Sequence, residues 1–132
     1  GVEASEMYFI TGGEVSYDDL TSPELAIQLG SGEWLCEAVL WASMQHSGRL
    51  SVVSASAELL RLKANLFHAL LANCQVWFQL RRYARLYVIC ALRENKHVHQ
   101  ISDLWGESAL IKEITAQAFG IDPESRKSNK FC

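Results

Sequence analysis

Near Ala64 the spacing of apolar residues changes, and no purely helical or purely stranded fold accommodates both halves of the chain. Before that point the apolar residues come as short runs or alternate with polar ones, as in Met7 to Ile10 and in Val15 and Tyr17 against Glu14 and Ser16. After it they recur about every three and a half residues. They run through Phe67, Leu70, Leu71, Cys74, Trp77 and Phe78, then Leu80, Tyr83, Ala84, Tyr87, Val88 and Ala91. The first pattern suits strands and the second suits helices, so the sequence predicts an α+β chain with its strands first.

Met7 to Thr11, closed by Gly12-Gly13 and followed by the alternation at Val15 and Tyr17, predicts two strands joined by a tight hairpin turn. The polar stretch Asp18 to Glu24, with Pro23, reads as a loop. Ala26 to Leu29 resumes a strand that ends at Gly30-Ser31-Gly32, and a short helix is expected to begin near Cys36. Arg49 to Ser54 and Glu58 to Leu62 give the next two strands, with Leu50 and Val52 on one face. In the helical half a bend is placed at Asn73-Cys74-Gln75, and Glu94-Asn95-Lys96 ends the long helix. Ser102-Asp103 offers an N-cap, with Glu107 in the following turn, for a last helix through Leu110, Ile111, Ile114, Ala118 and Phe119 to Gly120. The organisation expected is therefore a β region over 1–62, two helices over 63–95, a further helix over 102–120 and a flexible tail over 121–132.

At 132 residues the chain is one domain or less. A net charge of −3 gives no general attraction to nucleic acid, so none is expected as a partner. No apolar run approaches the length of a membrane span, and no direct membrane insertion of this segment is expected. The four cysteines, at 36, 74, 90 and 132, form no Cys-x-x-Cys pair, which reads as reduced thiols in a cytoplasmic setting. Cys90, His97 and His99 carry zinc-ligating atoms but lack a fourth ligand and a recurrent metal spacing, so no metal is expected. No nucleophile stands beside a paired base, so catalysis is not expected either.

Several spaced segments carry a resemblance. They are Met7-Tyr8-Phe9-Ile10 with Gly13 and Val15, the turn Gly32-Glu33-Trp34-Leu35-Cys36-Glu37-Ala38-Val39-Leu40-Trp41, and His46-Ser47-Gly48-Arg49-Leu50-Ser51-Val52, ending in Glu58-Leu59-Leu60-Arg61-Leu62 and Phe67. Their order resembles the second half of a cyclic nucleotide-binding domain, the regulatory module of cyclic nucleotide-regulated ion channels and protein kinase A regulatory subunits. The resemblance implies half of an antiparallel β jelly roll, with a degenerate phosphate-binding turn over 32–52, followed by hinge and lid helices. A family domain would carry a helix and at least two strands before Met7. The chain therefore looks like part of a longer polypeptide of channel or kinase-regulatory type, with the edge of its first strand left uncovered.

The resemblance also assigns a site. Glu37 matches the glutamate that accepts the ribose 2′-hydroxyl of cyclic AMP or cyclic GMP, with the amides of Cys36, Ala38 and Val39 around it. The arginine that would grip the cyclic phosphate falls on His46 or on Ser47, depending on the direction of counting. Gly48 follows them, and Arg49 is the nearest guanidinium. A strand places Arg49 about 6 to 7 Å beyond Ser47. Losing a bidentate charge-assisted contact costs about 1.5 to 3 kcal/mol, so weakened or lost nucleotide binding is expected. Cys36 stands on a family glycine, where a side chain is costly if positive φ is used. Bland readings stand beside these. Glu37 could cap its own turn, His46 and Arg49 could be an exposed loop, Arg81, Arg82 and Arg85 a solvated face, and Trp41 core rather than a purine platform. The functional expectation is a regulatory module coupling a ligand pocket to its C-terminal helices. The alternative is a ligand-independent assembly module of the same fold, offering Leu80, Tyr83 and Tyr87 to a partner.

Overall fold

The computed structural model describes residues 2–95, 97, 100–106 and 108–120. Six strands, a 3-10 turn and three helices follow one another: β1 (Glu6–Gly12), β2 (Glu14–Asp19), β3 (Ile27–Gly30), β4 (Trp34–Leu35), the 3-10 turn (Glu37–Leu40), β5 (Gly48–Val52), β6 (Glu58–Lys63), α1 (Ala64–Leu71), α2 (Trp77–Asn95) and α3 (Ser108–Phe119). The strands form two three-stranded antiparallel sheets, ordered β4-β1-β6 and β3-β2-β5. The α+β class is thus as expected. The break between α1 and α2 spans residues 72–76, around the expected bend.

The hairpin expected of β1 and β2 does not form, since β1 pairs with β4 and β6 while β2 pairs with β3 and β5 in the other sheet. Gly13 makes the crossing in a single residue at φ +74°, and a Cβ there would collide with the Ser56 carbonyl and lie 2.9 Å from the Ala57 Cα. The edge of β1 is not uncovered either, because β1 is the central strand of its sheet.

This position explains why β1 reads as continuously apolar. Met7 and Phe9 face a cluster built with the 3-10 turn and the helices, including Val39, Leu40, Met44, Tyr83, Tyr87 and Ile114. Tyr8 and Ile10 face the opposite way, into a cluster with Val15, Tyr17, Leu29, Leu35 and Cys36. A strand covered on both faces loses its period-two signal. The sheet containing β2 is covered on one face only, and its strand alternates, with Val15 and Tyr17 buried. Leu50 packs inward beside them, whereas Val52, expected to share its burial, is 58% exposed.

The last helix begins at Ser108, five residues beyond Asp103. Asp103 is accordingly no N-cap, and the reading of Ser102-Asp103 as a helix start is overturned. The connector 101–106 folds inward instead. Ile101 is buried in the helical cluster, Leu104 packs between the sheets, and Trp105 meets Tyr87 edge-on at 4.8 Å while its Nε1 donates to Glu94 Oε2 at 2.7 Å. The tail 121–132, Glu107 and His99 lie outside the described residues. Among the described residues no helix is long and apolar enough to cross a membrane, and Cys36, Cys74 and Cys90 are free thiols.

Candidate functional site

Local backbone geometry builds the turn after β4. Cys36 adopts left-handed φ 63°, ψ 28°, which reverses the chain out of β4 and starts the 3-10 turn. A non-glycine residue in that region costs about 1 to 2 kcal/mol, so the glycine-like conformation is used here with a side chain in place. Val39 N–H returns to the Cys36 carbonyl at 3.2 Å, and the Cys36 N–H donates to the Asp103 carbonyl at 2.6 Å. The side chains of Ala38 and Val39, whose amides the resemblance places around the ligand, are buried in the helical core.

Glu37 does not stand free for a ribose. Its Oε2 accepts Trp34 Nε1 at 3.1 Å, and its Oε1 accepts Trp41 Nε1 at 3.2 Å together with the Tyr83 hydroxyl of α2. Trp41 lies between Phe67 and Tyr83, at centroid distances of 5.6 and 5.3 Å, so it belongs to the core that joins turn and helix. Burial pushes the phenols of Tyr83 and Tyr87 well above the ordinary tyrosine range, and the Glu37 carboxylate adds to both shifts.

These shifts have a consequence at high pH. In the unfolded chain a tyrosine ionises near about 10, whereas the folded protein holds these two protons longer. Their contribution to stability is complete below that value and declines as pH rises above it, because the unfolded state then sheds protons that the folded state keeps. The urea midpoint is expected to fall from about pH 9.5 upward, and less steeply in Tyr83→Phe. A midpoint level to about pH 11 would contradict the burial of these phenols.

The centre of the site is a residue that the sequence did not single out for this role. Asp103, 3% exposed, reaches between the sheets from the connector. Its Oδ2 accepts the Tyr17 hydroxyl at 2.9 Å, the Ser47 N–H at 3.0 Å and the Gly48 N–H at 3.2 Å. Its Oδ1 accepts the Cys36 thiol at 3.4 Å and faces His46 Nδ1 at 3.2 Å. Its own N–H donates to Ser47 Oγ at 3.2 Å. Burial pushes the Cys36 thiol far above its usual range, and the neighbouring carboxylate pushes in the same direction. Gly48 is required because a Cβ would run into the Tyr17 ring.

His46, Ser47, Gly48 and Cys36 are therefore brought together, around an internal carboxylate. Arg49 is not among them. Gly48 and Leu50 turn inward, so Arg49 sits exposed on the outer face opposite Asp18. Arg82 and Arg85 are exposed as well, and Arg81 lies 5.6 Å from the Trp77 ring centroid. Tyr83 and Tyr87, once candidates for a partner surface, are buried. Two cavities flank the carboxylate, and both are lined by Leu35 and Asp103. One, of about 270 Å³, extends past Trp34, Glu37 and Trp105, and the other, of about 290 Å³, past Tyr8, Tyr17, Cys36, His46 and Leu50. A signal for Asp103 was present only in part, as an acid in a short segment flanked by the apolar Ile101, Leu104 and Trp105. No protein-family model matches this sequence, and no curated protein is similar enough to it to count as a relative.

Proposed function

We propose that the chain is a cyclic nucleotide-binding-like regulatory module, built on half of a jelly roll, whose anion-receiving turn is held by its own Asp103. In this reading it works without cyclic AMP or cyclic GMP and without catalysis, and its output is the position of α2 and α3 within a larger polypeptide. The observation that carries the reading is the set of donors on Asp103. A cyclic phosphate would need inward-facing amides and a cation at this turn. The amides of Ser47 and Gly48 point inward, but they already bond to a carboxylate, and among the described residues no guanidinium accompanies them. The two oxygens of Glu37 are likewise occupied by donors from the turn and from α2.

A built-in anion supplied by the connector also links the pocket to the helices, since the same connector packs on α2 through Tyr87 and Trp105. Release of Asp103 would free that end of the connector, and a partner that binds one arrangement better than the other would shift the balance. Calorimetric titration tests this. The expected result is no binding of cyclic AMP or cyclic GMP up to about millimolar concentration, equivalent to less than about 4 kcal/mol of binding free energy. Micromolar binding that disappears in Glu37→Ala would replace this reading with a nucleotide sensor.

A further inference from the structure

The geometry points to a zinc site formed by Cys36 Sγ, His46 Nδ1 and Asp103 Oδ1. The three ligand atoms come from three separate segments, and all lie within 4.8 Å of one another. Their separations are 3.7 Å for sulfur to nitrogen, 3.4 Å for sulfur to oxygen and 3.2 Å for nitrogen to oxygen. A tetrahedral zinc ion with ordinary bond lengths requires edges of about 3.6, 3.5 and 3.3 Å for the same pairs. The ion therefore fits with ligand movements of about 0.1 Å on each edge.

Two further features suit a metal better than a simple hydrogen-bond cluster. The carboxylate divides its labour, with Oδ2 fixed by Tyr17, Ser47 and Gly48 while Oδ1 is left to the thiol and imidazole. Outer hydrogen bonds of this kind orient a metal-ligating carboxylate. The thiol, in turn, is placed by a left-handed backbone that glycine would adopt at lower cost, so the strained residue is the one that supplies the sulfur. A mixed sulfur, nitrogen and oxygen set favours zinc over magnesium or calcium, which take oxygen ligands. The fourth position faces the 290 Å³ cavity lined by the same three residues and is filled by water or a small anion. On binding, the thiol proton leaves to solvent, and the neutral imidazole gives up its proton at Nδ1 and takes one from solvent at Nε2, so that Nδ1 binds the ion. The ion then clamps the connector to the turn.

The test uses the full chain and cobalt(II) as a spectroscopic stand-in for zinc. One equivalent is expected to give a thiolate-to-cobalt charge-transfer band and the intense visible bands of a tetrahedral site, both removed by one equivalent of zinc. Zinc, but not magnesium, is expected to raise Tm by about 5 °C or more. Cys36→Gly, which relieves the backbone, and His46→Ala, at a residue 29% exposed, are each expected to weaken binding at least about tenfold. Circular dichroism without metal checks the fold of each variant, so loss of the site in either folded variant suffices. Absence of the charge-transfer band, or the same band and affinity in both variants because Cys74, Cys90 or Cys132 supplies the sulfur, would overturn the assignment. These outcomes are independent of the nucleotide titration.

Discussion

Asp103→Ala is expected to lower the stability of the protein by about 3 to 5 kcal/mol, the range for removing one member of a buried charged network. The carboxylate accepts two backbone amides, a phenol and a thiol, and it faces an imidazole. The methyl group of alanine satisfies none of them. Each lost bond to a charged group is worth about 1.5 to 3 kcal/mol taken singly, but the flanking cavities let water reach some of the orphaned donors, which keeps the total below the sum. Against an ordinary stability of about 5 to 15 kcal/mol the loss is a large fraction. Urea unfolding of the variant measures it. A loss under about 1 kcal/mol would mean that the carboxylate is not held as described. The same variant bears on the proposed function, since freed amides should accept an added anion. Millimolar inorganic phosphate or cyclic AMP is expected to raise the Tm of Asp103→Ala more than that of the unaltered protein.

The division between what the sequence discloses and what it hides follows contact distance. The turn at Cys36, the strand character of β1 and β2 and the break between α1 and α2 are set by neighbours in the chain, and periodicity with glycine placement reads them well. Strand partnership is not local. Gly12-Gly13 carries the same signal for a hairpin as for a one-residue crossing between sheets, and only the apolar run on both faces of β1 tells them apart. Asp103 is the extreme case. Its side-chain partners stand 55 to 86 residues away along the chain, whereas the reading as an N-cap used residues within one turn. Arg49 shows the same limit, since alternation counted from Ser47 would place it on the inner face, whereas it is exposed. Alternation starts only at Gly48, where β5 begins, and Ser47 turns inward ahead of it to bond with Tyr17.

Glu37→Ala separates the two roles open to this acid. A glutamate waiting for a ribose would be costly to keep and nearly neutral to remove. The structure instead places on it the indole N–H groups of Trp34 and Trp41 and the hydroxyl of Tyr83. Trp34 is 42% exposed and can pair with water once the acid is gone, so its bond contributes little. Tyr83 is 8% exposed and Trp41 is packed between aromatic rings, so their donors are left without a partner in an apolar setting. At about 1 to 3 kcal/mol for each of these two orphaned donors, the expected loss is about 2 to 6 kcal/mol. Tyr83→Phe removes one donor together with its need for a partner and is expected to cost about 1 kcal/mol. Because α2 is tied to the turn through this acid, Glu37→Ala should also increase hydrogen exchange along α2 before the sheets open. Stability within about 0.5 kcal/mol of the unaltered protein would return Glu37 to the pool of groups available to a ligand.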